Sequence, residues 1–135
     1  MKTFIACLTG REEVPPVRTL ASGDAIFHLS RDKKRLRFQL VVRNIANVTQ
    51  GHIHLGPRGV NGPVVVFLFG PSKFGISVRK GVIRGVITAS DLVGPLAGKS
   101  LAHLINEFQK GNAYVNVHTV QNPNGEIRGQ IKTQK

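Results

Sequence analysis

Apolar residues in this chain fall into short runs, and inside most of them the period is two. Over residues 19–29, Ala21, Gly23, Ala25, Phe27 and Leu29 alternate with Ser22, Asp24, Ile26 and His28. Over 35–43, Leu36, Phe38 and Leu40 alternate with Arg35, Arg37 and Gln39. Successive side chains of a strand point to opposite faces, so each run predicts a strand with one dry face and one wet face. The same reasoning predicts strands over 3–9, 48–55, 81–88, 112–119 and 126–133. Residues 64–69, Val-Val-Val-Phe-Leu-Phe, form an unbroken apolar run and predict a strand buried on both faces.

The segments between are rich in chain-breaking residues. Pro15 and Pro16 lack N–H donors and place 10–17 in a loop. A turn is expected at 30–33, a short connection at 44–47, loops at 56–63 and 70–80, and a short capped turn at 89–92. Asn124-Gly125 marks a hairpin turn. The period changes once: Leu101, Leu104, Ile105 and Phe108 recur at helical spacing, predicting a helix over 99–110 that Gly111 ends, with His103 on its solvent side. About eight short strands and one late helix predict a mostly β fold, a Greek-key β-sandwich or flattened barrel. Nothing divides the chain, so residues 1–135 form a single domain.

Composition narrows this only a little. Apolar residues make up 41% of the 135 and are spread throughout, which excludes a disordered chain. No run reaches the length of a membrane span. Cys7 is the only cysteine, so no internal disulfide can form, and its apolar strand predicts a buried thiol. The first ten residues read as a strand rather than an export signal, so a cytoplasmic or spore-associated location is expected. The net charge of +12 would attract polyanions, including nucleic acid. Its densest stretch, Arg31–Arg37, is an alternating strand entry, which fits a solvated face better than a nucleic-acid site. With no Trp and one Tyr, stacking platforms for single strands are scarce.

The candidate chemistry lies in two strands. Gly51-His52-Ile53-His54-Leu55-Gly56 puts His52 and His54 on one face, and Tyr114-Val115-Asn116-Val117-His118-Thr119 does the same for Asn116 and His118. If these strands meet, three imidazoles converge, a donor set suited to copper or zinc. The alternative is a buried polar network of His52, His54, Asn116 and His118 that fixes strand register. Arg128 has two readings as well, an anion-guiding cation beside the site or an ion pair with Glu126. Only seven acidic residues exist, all scattered, and none presents itself as a general base; hydrolase motifs are absent.

Three ordered segments resemble the CHRD domain, the module named after chordin, and especially its small single-domain bacterial members. They are Leu8-Thr9-Gly10 with Glu13-Val14-Pro15-Pro16-Val17; Gly51–Gly56 with Gly62-Pro63-Val64-Val65; and Ala113–Thr119 with Asn124-Gly125-Glu126-Ile127-Arg128-Gly129-Gln130-Ile131. The resemblance implies a β-sandwich module, in chordin part of an extracellular antagonist of morphogen signalling, and often exported in bacteria. Chordin's cysteine-rich modules have no counterpart here, so morphogen binding is not carried over. Gly51-His52-Ile53-His54 and Val117-His118 are also similar to the copper-binding strands of copper/zinc superoxide dismutases, which are Greek-key sandwiches. By that resemblance His52, His54 and His118 would be metal ligands and Arg128, with Asn116 nearby, would attend an open position. The bridging histidine, the zinc cluster and the disulfide of those enzymes are missing.

The expected function is therefore a non-catalytic binding or structural module whose protein or polyanion partner is unknown. The sharp alternative is a copper or zinc protein built on His52, His54 and His118.

Overall fold

A computed structural model describes residues 2–72 and 75–134. Among the described residues, eight strands, all paired antiparallel, and one α-helix carry the fold, with three short 3-10 turns between them. In chain order these are β1 (Lys2–Thr9), β2 (Ser22–Leu29), β3 (Leu36–Leu55), β4 (Val64–Phe69), β5 (Ile76–Ile87), α1 (Leu101–Gln109), β6 (Ala113–Thr119), β7 (Ile127–Gln130) and β8 (Lys132–Thr133). Among the described residues no helix is long and apolar enough to cross a membrane.

The long strand β3 organises the sheet. Its first half pairs with β2 and β5, its second half with β6 and β4. The chain's last strands return beside its first: β7 pairs with β6 on one side and meets β1 at Thr9–Arg128 on the other. Because β1 also pairs along its length with β2, and β2 with β3, the hydrogen-bonded circuit closes, giving the barrel-like form of a flattened sandwich.

The strand expected over 126–133 is interrupted at Ile131, giving β7 and β8, and two expected connections are wholly or partly strand. The connection expected at 44–47 is not a break. Asn44 (φ 52°) and Asn47 (φ 58°) take left-handed conformations inside β3, and β5 follows across the irregularity through Ile45–Val78 and Val48–Ile76. Asn tolerates that region better than other residues with a Cβ, so the strand bends without ending. Part of the loop expected at 70–80 is strand, since β5 begins at Ile76; its polar, basic start hid it. Residues 73 and 74 of that expected loop lie outside the described residues.

The alternating faces behave as read. Phe4, Ala6 and Leu8 of β1 point inward, as do Ala25, Phe27 and Leu29 of β2 and Leu36, Phe38 and Leu40 of β3. The same alternation turns Cys7 outward, so its thiol is exposed rather than buried. The helix buries Leu101, Leu104, Ile105 and Phe108 against this core, Phe108 meeting Phe4 edge-on at 5.2 Å and Phe27 at 5.3 Å. His103 faces solvent, bonded to Ser100 Oγ at 3.0 Å.

Candidate functional site

The register of β3 against β6 sets His52 opposite Asn116, and His54 opposite Tyr114, with His118 opposite Gln50. The two histidine segments are thus neighbours, and their imidazoles converge. One nitrogen from each of His52, His54 and His118 lies within 4.8 Å of the others. The ring centroids are 5.4 Å apart for His52 and His54, 4.8 Å for His52 and His118, and 6.0 Å for His54 and His118. The Phe67 ring of β4 packs edge-on to His52 at 4.6 Å, and Tyr114 stacks on His54 at 4.8 Å.

Hydrogen bonds fix the proton position on two of the three rings. His54 Nδ1 lies 2.8 Å from the Gly62 carbonyl, and His118 Nδ1 lies 2.7 Å from the Pro123 carbonyl. A carbonyl only accepts, so His54 Nδ1 carries the proton and its Nε2 the lone pair. His52 Nε2 lies 2.9 Å from Gln50 Oε1, which leaves its lone pair on Nδ1. His52 Nδ1 and His54 Nε2 are buried and have no hydrogen-bond partner. His118 Nε2 lies 3.1 Å from Asn116 Oδ1, so both nitrogens of this ring face oxygen acceptors and the neutral imidazole donates to one of them.

Electrostatics keep the rings neutral. Burial, then the neighbouring His118 and His54, push His52 down to about 3. Burial also lowers His54 and His118, against opposing hydrogen bonds to the Gly62 and Pro123 carbonyls. The sequence reading found no carboxylate near the site, but the structure supplies one. Glu13, from the proline loop, is buried beside Asn116, and Gly125 leaves it room, since a Cβ there would collide with both side chains. Burial raises its pKa to about 7, opposed by the Arg128 charge and the Asn116 amide. No periodicity marks a loop residue for burial, and the only sequence cue was its place beside Pro15-Pro16.

Arg128 is 1% exposed. Its guanidinium donates to Asn61 Oδ1 (3.2 Å) and to the carbonyls of Pro57 (3.0 Å) and Val60 (2.9 Å), and lies 3.5 Å over the Tyr114 ring. Tyr114 Oη accepts from the Gly62 amide, and Gln130 donates to the Gly56 carbonyl. The 56–63 loop is thereby pinned over the site, with Gly62 as the anchor that orients His54. The ion pair between Arg128 and Glu126 does not form. Glu126 precedes β7, so strand alternation does not align the two. Its carboxylate instead accepts from Thr19, Thr119, Gln121 and Asn122. Burial would raise that carboxyl's pKa, but these hydrogen bonds hold it below the usual range.

Acid titration of the metal-free protein reads out these environments. The unfolded chain takes up histidine protons near pH 6.5 that folded His52 resists down to about pH 3, so stability falls as pH drops through this window. Glu13 acts oppositely: the stabilisation from its retained proton is full below the ordinary 4.5 and lost as pH rises through about 7. Three depressed imidazoles outweigh one raised carboxyl, each proton contributing up to about 1.4 kcal/mol per pH unit. The melting temperature should therefore fall steadily from pH 6.5 toward about pH 4. A flat profile would mean the histidines protonate freely in the folded state.

A closed antiparallel β-module with a buried imidazole cluster under a pinned loop is the class these features define. The chain belongs to the CHRD domain family, whose model matches residues 4–131. It is 29% identical over 132 residues to chordin of Xenopus laevis, an alignment covering 92% of this chain and 12% of chordin. The chain thus spans about an eighth of that relative's length.

Proposed function

We propose that this CHRD module acts by binding rather than catalysis, and that it holds one transition-metal ion, copper or zinc, on His52 Nδ1, His54 Nε2 and His118 Nε2. The observation that carries this is a pair of free lone pairs: His52 and His54 each commit an N–H to an oxygen acceptor and leave the other ring nitrogen buried without a partner, within ligand distance of a His118 nitrogen. Ligating histidines are oriented in this way by outer-shell acceptors. A purely structural network would use those nitrogens, yet two are buried without partners. Depressed pKa values favour the same chemistry, because an imidazole must be neutral to ligate.

Metal content after loading with copper or zinc and exhaustive dialysis tests the reading. About one ion per chain is expected for the wild type, and none for His52→Ala/His118→Ala. A wild type that retains no metal would leave the histidines as groups that hold β3 to β6. Polyanion binding has one supporting observation, a cleft of about 660 Å³ beside α1, lined by none of His52, His54 and His118, whose lining includes Lys2, Arg31, Lys33 and His103 and no carboxylate.

A further inference from the structure

Among the described residues, β5 is hydrogen-bonded along one side only, to β3. Its other edge runs the length of a twelve-residue strand, about 40 Å, with the backbone groups of alternate residues left unpaired. Edge strands of this length are commonly shortened, bulged or covered, because they template pairing with another chain. The edge of β4 is partly covered instead, the Val93 amide donating to the Val65 carbonyl at 2.8 Å.

Side chains on β5 define what would pair there. Ile76, Val82 and Val86 are three of the chain's exposed large apolar residues, Val86 at 50%. On the outer face Val82 and Val86 alternate with Lys80 and Arg84, and Arg79 adds a third base. No acid lies on the strand. On neighbouring β3, Arg37 faces Val86; the Arg43 opposite Lys80 is already neutralised by Asp24 at 2.7 Å. A second copy would bring the same three bases to this edge, and like charges across strands are destabilising.

We infer that β5 is a docking edge for an extended acidic segment of another protein, one that alternates carboxylates with β-branched residues and adds a strand beside β5. Main-chain ladder bonds supply the affinity, and alternate side chains supply the specificity: carboxylates against Lys80 and Arg84, apolar groups against Val82 and Val86. This surface is separate from the histidine site and needs no metal.

The probe is a synthetic peptide of alternating glutamate and valine, added to the metal-free full chain and followed by amide hydrogen exchange. Slowed exchange confined to β5 is expected, with binding that weakens as salt rises. Lys80→Glu/Arg84→Glu should bind at least tenfold more weakly while melting at the wild-type temperature. An alternating lysine–valine peptide should not bind. Three results would overturn the inference: no added protection on β5, protection centred on residues 31–37 or the α1 cleft, or wild-type self-association through β5 in sedimentation.

Discussion

Arg128→Ala should lower the free energy of unfolding by about 3–5 kcal/mol, the range for removing one member of a buried charged network. The guanidinium satisfies the carbonyls of Pro57 and Val60 and the side chain of Asn61, and covers the face of Tyr114. Its loss removes three charge-assisted hydrogen bonds to the loop, each contributing about 1.5–3 kcal/mol, and empties the space over the Tyr114 ring. Arg128→Lys keeps the charge but loses the planar fork, and should fall between the two. Urea denaturation measures this through the shift in midpoint. A loss below about 1 kcal/mol for the alanine variant would mean the loop is held by other contacts. Because Gly62 orients His54, the same variant should also weaken any metal held there.

Gly129→Ala should be at least as damaging. Gly129 lies where β7 passes β1, and a Cβ would overlap the carbonyl of Cys7 and crowd the amide of Leu8. Both obstacles are backbone, so no rotamer change relieves them, and the seam that closes the circuit must open. A cost of about 3 kcal/mol or more follows from overpacking against rigid neighbours. Gly51→Ala is the matched control, because its new methyl would meet its nearest neighbours at 3.6 Å, an ordinary contact. Thermal melting of the two variants separates the cases, and equal melting temperatures would refute the seam argument.

Period-two alternation made the strands legible because burial of one face is a local property of sequence. Hence the inward residues of β1, β2 and β3, and the helix stripe ending in Phe108, fall where the pattern places them. That His52 and His54 share a face followed from the same rule. Alternation cannot say which strands meet, so the convergence of His118 with them needed the β3–β6 register. Asn44 and Asn47 looked like an interruption, because a left-handed asparagine inside a paired strand has the same sequence signature as a turn. Glu13 and the loop acceptors of Arg128 were out of reach. Their contacts join β7 to the loops at 10–17 and 56–63, and nothing in one segment's pattern records another's.

The closing pair between Thr9 and Arg128 also sets an order of events. During synthesis the His52–His54 pair emerges well before His118, on a ribbon whose flank stays empty until β6 arrives. Pro123, which fixes the third imidazole, comes later still. Pairings between distant parts of the chain form slowly, so on the proposed metal reading tight chelation should be among the last properties this chain acquires. An ion captured early would rest on two donors and exchange readily; only the finished barrel could retain it.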